Sequence, residues 1–587
     1  MTQIYIDGRL AVLDHSTKIK SVFDNVYFTK SSKYTLEVTF PMEGCAVNQK
    51  IFKHINRNDV FKSPQTLKAI LISNNKVIIN GTAVITSISN KNVKAQLLSG
   101  NSELNFFVSD DKYIDELNLG YNYSPPSDFH PGQETDIYYN SYPFVSSIWM
   151  PVYNESAGEI YNKIAASHSI IGGEEVESLK HYEAVYYKWC VQPYLCAVIK
   201  RIVLAIGYEL IENQIDATIF KNLYICNATV TDYFADVLPH WTVNEFFNQL
   251  EKFLGVITVA DEGNKTVRIV FAHNFFDTSN PVYLDNVIED YEADVDEEET
   301  TDLSNANIGY DLSGSDTWIY KKPDENILKK YKIKEYETQE QLNAAYESID
   351  DYNKVRTIFE AEGQQYIHYV EGDKSWLKEI NQFRDLIRNS EKSDLDIELK
   401  IIPVGMTMME TEVYAPGTVF DGNIRWKAKF ALPSLEGEIF NNFESLTVQE
   451  AIEGETTEKF TPNLIQVAFN DGSMKKLHGP DGKTHVYPMP FIDGNNDMPD
   501  YQYAPNWSLR LNKNRDFQSI GSNILERVKK INTLVPETKK FVSDKLFDPM
   551  SVFVINNKKY VSKQINLSID DEKIDPMQEG IFYELTD

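Results

Sequence analysis

Cysteine is scarce in this sequence. The chain of 587 residues contains four cysteines, and no two of them form a C-x-x-C pair. Four thiols are too few to hold a chain of this length together by disulfides, and paired spacing is the usual signature of a structural zinc site. We therefore expect buried free thiols; a cysteine nucleophile, such as Cys45 or Cys190 with a distant histidine, is the alternative. The four residues are Cys45, Cys190, Cys196 and Cys226.

Positive charge is the second shortage. Lysine and arginine number 57 against 87 aspartates and glutamates, which gives a formal net charge of −30 at pH 7. A surface that binds phosphates needs the opposite sign. The charge balance therefore excludes nucleic acid as an ordinary high-affinity ligand.

Long apolar runs are also absent. The longest apolar segment, 196–207, is interrupted by Lys200 and Arg201, whereas crossing a bilayer takes about 20 mostly apolar residues. The N-terminus has no basic region followed by an apolar stretch of signal-peptide length. We expect a protein without a membrane span that is made and kept in a cytoplasm.

Linear catalytic signatures are missing as well. The sequence contains no G-x-x-x-x-G-K-S/T, no H-E-x-x-H and no G-x-S-x-G. A phosphate-binding loop, a zincin helix and a nucleophile elbow therefore lack their sequence patterns. We predict that the chain is not an enzyme, and we assign no catalytic, cofactor-binding or metal-binding residue.

Two short segments carry side chains that can bind metals. Residues 493–497 begin like a calcium loop, but Met498 stands where the turn needs glycine and Ala504 stands where a bidentate glutamate is required. We interpret this segment as an Asn/Asp/Gly turn. His478 and His485 could approach each other, but no third ligand is evident. We take them as exposed loop histidines, with zinc or iron binding as the alternative.

Apolar and aromatic residues, by contrast, are abundant. The chain is 42% hydrophobic and 12% aromatic, with 34 tyrosines and 31 phenylalanines, which is ample for packed cores and excludes global disorder. In the first hundred residues apolar side chains alternate at period two between turn-forming segments. Strands are predicted at 34–40, 68–72, 77–79, 82–88 and 93–98, with a hairpin turn at Asn80-Gly81.

Helical spacing replaces this alternation in the middle of the chain. An apolar stripe over 195–206 ends at Gly207, and Thr242-Val243-Asn244-Glu245 is a capping box that opens a helix ending at Gly255. A β-hairpin follows at 256–270. Further helices are predicted near 340–346, 375–387 and 520–530.

An acidic run precedes a second β-rich half. Residues 289–302 hold nine acids in fourteen positions, which is too dense in like charge to pack, so the run is predicted to be a linker.

Strand patterns resume at 394 and recur to the C-terminus, which indicates an α+β, mostly β, multidomain protein. The predicted parts are an N-terminal β-barrel domain (1–105), an irregular aromatic-rich insertion (106–184), a helix and helix/β-hairpin domain (185–288), an acidic linker with a mixed α/β domain (289–393), and a second β-barrel domain with a C-terminal meander (394–587).

Three parts of the chain carry patterns that occur together in one family. The first consists of Ile4-Tyr5-Ile6-Asp7-Gly8, 34–41, 48–52 and Asn80-Gly81, the second of 239–270, and the third of 553–560 and 565–583. In this order they resemble the N-terminal barrel, the helix-plus-hairpin element and the C-terminal strands of the tail baseplate hub proteins of phages and phage-like injection systems.

The resemblance implies a structural virion protein of the tail, assembled in the host cytoplasm. It implies two β-barrel domains in each chain, and a homotrimeric, pseudo-sixfold ring that joins the tail tube to a spike or fibre. Other tail proteins are then partners, and DNA passes through during ejection without specific binding. Strong acidity fits such a conduit, because carboxylates that face a lumen repel phosphates at short range.

Three other functions stay open. A receptor- or carbohydrate-binding tail protein would use the tyrosine-rich insertion, where Tyr138 and Tyr139 offer large rigid faces with polar tips. A distal-tail ring protein is a second possibility. A cell-wall hydrolase whose site has no linear signature is the third.

Overall fold

The structure is a computed structural model of the whole chain. The residues it describes are 1–14, 17–62, 66–108, 111–122, 145–162, 164–171, 174–181, 190–261, 263–293, 307–311, 332–347, 357–361, 364–371, 374–379, 396–415, 424–437, 460–470, 474–478, 484–488, 490–492, 507–509, 511, 518–520 and 531–585. The fold is α+β and mostly β, with several sheets, as the sequence predicts.

The helices of these residues are short. They are α1 (Val26–Thr29), α2 (Ala46–Ile51), α3 (Asn101–Val108), α4 (Leu195–Ala205), α5 (Val243–Leu254) and α6 (Gln339–Glu347). The predictions of α4, α5 and α6 are confirmed. None of the described helices has the length and apolar character that crossing a membrane requires.

The strands of the first half of the chain run as far as residue 293. They are β1 (Gln3–Ile6), β2 (Arg9–Leu10), β3 (Ile19–Asp24), β4 (Lys33–Thr35), β5 (Val38–Pro41), β6 (Thr66–Ser73), β7 (Lys76–Ile88), β8 (Asn92–Leu98), β9 (Ser147–Ile148), β10 (Val152–Asn154), β11 (Glu159–Tyr161), β12 (Ile164–Ile171), β13 (Glu174–His181), β14 (Gln192–Pro193), β15 (Glu209–Asn213), β16 (Leu223–Ile225), β17 (Val256–Ala260), β18 (Thr266–Phe271), β19 (Val282–Tyr283) and β20 (Val287–Ala293).

The strands of the second half begin at residue 307. They are β21 (Asn307–Tyr310), β22 (Lys332–Tyr336), β23 (Thr357–Ala361), β24 (Gln364–Glu371), β25 (Lys374–Glu379), β26 (Asp396–Leu399), β27 (Ile401–Pro403), β28 (Met406–Ala415), β29 (Ile424–Leu435), β30 (Ile465–Phe469), β31 (Met474–His478), β32 (Thr484–Pro488), β33 (Trp507–Ser508), β34 (Gln518–Ser519), β35 (Ile531–Val542), β36 (Val552–Ile555), β37 (Lys558–Ile569) and β38 (Met577–Leu585).

One 14-stranded sheet contains strands from both ends of the chain. Its order is β2-β1-β6-β7-β8-β4-β3-β37-β38-β35-β20, with β5, β19 and β36 paired beside this path. The two ends meet where β3 and β37 run antiparallel, from the pair Ile19 and Ile569 to the pair Asp24 and Gln564. Residues of both ends, including Ile4 and Phe582, belong to one buried apolar cluster.

The residue that precedes β1 also contacts the C-terminal part of the chain. The Thr2 amide donates to the Asp571 carbonyl at 2.9 Å, and the Thr2 hydroxyl contacts Ser73 at 2.9 Å. The sheet thus curves around its core, although the described strands form an open path and no closed barrel. The five-part division of the chain stays a prediction, but its first and last parts share this one sheet and core.

A second core surrounds α4 and α5. Its buried residues come from both helices and from the small sheet β16-β30-β27. Thr242 begins α5 as predicted, since its hydroxyl accepts a hydrogen bond from the Glu245 amide at 3.1 Å. Gly255 ends the helix at a φ of 66°, a left-handed conformation that glycine adopts without steric cost. Strands β17 and β18 follow as the predicted hairpin.

The Asn80-Gly81 turn predicted in the N-terminal part is wrong. Strand β7, which is 13 residues long, continues through both residues and pairs with β6 and β8. Glycine is needed here for close approach, because a Cβ at Gly81 would lie 2.1 Å from the Leu98 carbonyl oxygen.

The strand predicted over 34–40 is interrupted. It is split into β4 and β5 at Leu36, whose side chain is 47% exposed. Strand β4 pairs mainly with β3, whereas β5 pairs with β8. The interruption therefore reflects a change of partner strand, which alternation along one segment does not reveal.

Two further predictions need correction. Within the predicted irregular insertion, β12 and β13 form an antiparallel hairpin with eight residue pairs; Tyr138 and Tyr139 lie outside the described residues. Residues 374–379, the start of a predicted helix, form β25 and pair with β24. In both places cross-strand pairing overrides the local pattern.

The acidic run is only partly a linker. Its first five residues, 289–293, belong to β20, which pairs with β35 at the edge of the large sheet. Residues 294–302 lie outside the described part of the chain. The cross-strand pairs that join β20 to β35 include Tyr291 with Lys539 and Glu292 with Thr538.

Helix α3 connects the two cores. The Asn101 side-chain amide donates to the Thr258 carbonyl and accepts from the Ala260 amide, both at 2.7 Å. These two bonds satisfy the outer edge of β17, the last strand of the sheet β15-β18-β17. The same helix is attached to the large sheet, because Glu103 accepts a hydrogen bond from the Thr82 hydroxyl of β7 at 2.7 Å.

Replacing Asn101 with alanine should loosen this connection. The Asn101→Ala variant leaves a carbonyl and an amide of β17 unpaired in a buried place, so we expect a loss of about 1–3 kcal/mol in the free energy of unfolding. Chemical denaturation followed by tryptophan fluorescence measures it. Asn90→Ala, at an exposed turn, is the control and should change stability by less than about 0.5 kcal/mol. Equal stability of the two variants would contradict the assigned role.

Candidate functional site

Helix α1 lies at the junction of the two ends of the chain. It begins at Asn25, which is fully buried and whose side-chain oxygen accepts from the Tyr27 amide at 3.1 Å. The same side chain donates to the carbonyls of Pro549 and Ser562, at 2.9 and 2.8 Å. One asparagine therefore caps the helix and attaches it to the C-terminal strands.

An aromatic cluster surrounds α1. The Tyr27 ring centroid lies 5.5 Å from that of Phe275 and 5.0 Å from that of Phe276, and the Phe28 centroid lies 4.9 Å from that of Tyr583. The first four of these side chains are half-buried, whereas Tyr583 is buried. Tilted and edge contacts at these distances favour a rigid arrangement of the rings.

The sheet beneath this cluster is apolar on both faces. Phe553 and Phe582 face the main core, while Val552, Val561 and Tyr583 form a second cluster against Phe28 and Phe276. Those three residues are direct cross-strand partners in β36, β37 and β38. Phe28 of α1 and Phe276 cover part of this sheet face and are themselves half-buried, and half-exposed aromatic surface is a common property of protein contact sites.

A buried carboxylate lies just before α1. Asp24 is 7% exposed, and its burial raises the pKa of the carboxyl from 3.8 to about 6, although Lys563 and the Thr29 hydroxyl act in the opposite direction. Tyr34 is a further titratable neighbour, since burial and, to a smaller extent, the Asp24 carboxylate raise the pKa of that phenol.

The cysteines are buried as predicted, with one exception. Cys190, Cys196 and Cys226 are buried, and burial raises the pKa of each thiol. A raised pKa keeps these groups as thiols, which opposes a nucleophilic role. Cys45, half-buried, precedes α2 without a side-chain capping bond.

The histidines weighed as metal ligands lie on a hairpin rather than in a loop. His478 pairs with Thr484 and His485 with Leu477 in β31 and β32, so the two histidines occupy neighbouring pairs. Among the described residues no three His, Cys, Asp or Glu side chains converge as metal ligands do. Residues 493–497 fall outside the described residues.

Sequence patterns did not indicate the surroundings of α1. The helix is four residues long, too short for helical periodicity, and its partners at 275–276 and 549–583 are distant in the chain. The one local signal is the sequence Asn25-Val26-Tyr27-Phe28, in which a capping residue precedes aromatic side chains.

Comparison with known proteins finds distant structural similarity. No family model matches the chain, and no curated protein matches it. Solved structures similar to it include a 43 kDa tail protein of prophage MuSo2 from Shewanella oneidensis, with a TM-score of 0.31 and 9% identity over 99% of this chain and 97% of the other.

Two more solved structures are similar at the same level. A tail protein from Neisseria meningitidis has a TM-score of 0.30 and 7% identity, with 99% of this chain and 95% of the other covered. Prophage tail protein gp18 from Listeria monocytogenes has a TM-score of 0.28 and 7% identity, with 99% and 94% covered. TM-scores this low do not establish a shared fold.

Neutralising Asp24 should stabilise the protein and change its pH dependence. A folded-state pKa above the unfolded value means that the folded chain binds the proton more tightly. This carboxyl therefore favours folding below pH 4, and that contribution is lost as pH rises through about 6. We expect Asp24→Asn to be more stable at pH 7 by about 1–2 kcal/mol. Unfolding curves of both proteins from pH 4 to pH 7 measure the difference, and a difference that is constant over this range would contradict the assignment.

Proposed function

We propose that the chain is a structural protein of a phage tail or phage-like injection system, and specifically its baseplate hub. In this role it joins the tail tube to a spike or fibre and forms part of the path of the DNA. The proposal starts from the three sequence segments that resemble the hub family. Each segment alone is a short pattern of strands or of a helix and hairpin, which many unrelated proteins contain.

The arrangement of these segments is the observation that carries the proposal. The N-terminal segment supplies β1, β4 and β5, and the C-terminal segments supply β36, β37 and β38 of the same sheet; the Asn80-Gly81 part of the resemblance is not a turn but lies within β7. The helix-plus-hairpin segment, α5 with β17 and β18, is attached to that sheet by Asn101. Segments separated by hundreds of residues thus form one connected unit, as parts of one ancestral core would.

The charge of the chain supports a conduit. A lumen that passes DNA must not retain it, and a net charge of −30 provides carboxylates that repel phosphates within about 10 Å. A non-enzymatic role also agrees with Cys190, Cys196 and Cys226, because burial raises the pKa of each of these thiols. The hub role further requires a homotrimer, with contacts between different faces of neighbouring copies.

The oligomeric state of the purified chain tests the proposal. We expect mass photometry to show a species of about 200 kDa, three times the 67.4 kDa of one chain, and negative-stain images to show a ring with a central opening. DNA-binding assays at physiological salt should show no retention. A chain that stays monomeric at every concentration tested, or that binds DNA tightly, would argue against a hub.

A further inference from the structure

A lysine, an asparagine and a glutamate meet where the end of α1 lies beside α5. Lys30 follows the last residue of α1, and its side chain reaches two residues of α5. The Lys30 ammonium contacts the side-chain oxygen of Asn248 and lies 3.1 Å from a carboxylate oxygen of Glu251. Asn248 and Glu251 are three positions apart, so they lie on one face of the helix. An amine, a carboxamide and a carboxylate therefore form one cluster.

Hydrogen bonds outside the cluster hold the lysine and the glutamate in place. The Lys30 amide donates to the Val26 carbonyl at 3.1 Å, and the Lys30 carbonyl accepts from the Asn105 side-chain amide at 2.9 Å. Glu251 is buried, and its second carboxylate oxygen accepts from the Thr258 amide at 3.0 Å. The backbone that carries the amine and the orientation of the carboxylate are therefore both fixed by neighbouring elements.

These three groups are the reactants of a known type of amide chemistry. A lysine amine that has lost its proton is a nucleophile, and a carboxamide carbon is an electrophile. A carboxylate beside them can accept the proton and deliver it to the leaving group. When the groups are held in contact the step is intramolecular, and effective molarities of such reactions reach roughly 10⁵–10⁸ M. The cluster thus contains a nucleophile, an electrophile and a group for proton transfer.

We propose that Lys30 and Asn248 form an intramolecular isopeptide bond, with Glu251 as the group that transfers protons. A bond forms between Lys30 Nζ and Asn248 Cγ, and the bond between Cγ and Nδ2 breaks. Glu251 carries two protons in turn from Nζ to Nδ2, which leaves as an ammonium ion, so Glu251 is unchanged at the end. The lysine ammonium and the carboxamide thus give a secondary amide and ammonium, without oxidant or cofactor. The Lys30 side chain is 45% exposed, which leaves a path for the ammonium ion to depart.

The bond attaches the N-terminal part of the chain covalently to the helix of the second core. It joins residues 218 positions apart, and cross-links that close long loops restrict the unfolded chain most. The four cysteines of the chain are free, and a reducing compartment does not maintain disulfides. An isopeptide bond supplies a cross-link that reductants do not break. The inference does not depend on the hub role.

Intact-mass spectrometry of the purified full chain tests for the bond. Loss of ammonia should lower the mass by about 17 Da relative to the mass of the sequence. Ammonia lost within a single asparagine residue would give the same mass, so the chain is also digested with trypsin. We expect one branched peptide in which the Lys30 side chain is joined to that of Asn248.

Three variants identify the reacting groups. Lys30→Arg keeps the positive charge but not the primary amine, and Glu251→Gln keeps an oxygen for the Thr258 amide but not the carboxylate. Both should have the full mass of the sequence and no branched peptide. Lys252→Arg is the matched control, since the same exchange lies four positions after Asn248 on the same helix face, and it should lose about 17 Da like the unmodified chain. Circular dichroism establishes that all three variants are folded.

Several results would overturn the inference. They are an unmodified chain with the full mass of the sequence, a mass loss that persists in Lys30→Arg, and a branched peptide formed through another lysine. A bond that forms as completely in Glu251→Gln as in the unmodified chain would overturn the role of Glu251. None of these results bears on the hub role, which the oligomeric state tests separately.

Discussion

The antiparallel pairing of β3 with β37 is the constraint on which the rest of the molecule depends. It joins residues 19–24 to residues 564–569, so the first core is complete only when the last strands of the chain are in place. Contacts of such large sequence separation cost loop-closure entropy before they stabilise anything. The apolar side chains of both ends then compensate by sharing one core. The residues between β3 and β37 consequently form one long loop that this strand pairing closes.

Side-chain amides form hydrogen bonds with backbone groups that the strand ladders leave unpaired. Asn25 satisfies the Ser562 carbonyl of β37 and the Pro549 carbonyl that precedes β36, and Asn101 satisfies the outer edge of β17. Each amide has a donor and an acceptor on one rigid group, and can therefore replace part of a neighbouring strand. Both residues are buried, where unpaired backbone groups are costly. The junction of the sheets thus depends on a few polar residues as much as on apolar packing.

The same junction links the two ends of the chain to the central helical part. Asn25 attaches α1 to the C-terminal part of the chain, and Lys30 at the end of α1 pairs with Glu251 of α5. The surroundings of α1 therefore exist only after the two ends of the chain and the central helical part have come together.

Secondary structure follows from the sequence with few errors where one segment contains all the residues that specify it. The stripe of α5, its capping box and Gly255 all act within fifteen residues, so helix and boundaries were predictable, and so were the C-terminal strands. Composition likewise excluded a disulfide scaffold, and the alternation of apolar residues indicated a mostly β protein. Tertiary structure decided the rest, because strand partners are chosen by residues far away. Pairing carried β7 through Asn80-Gly81 and made a strand of residues 374–379, and packing brought Phe28 and Phe276 against Val552, Val561 and Tyr583 from a distant part of the chain.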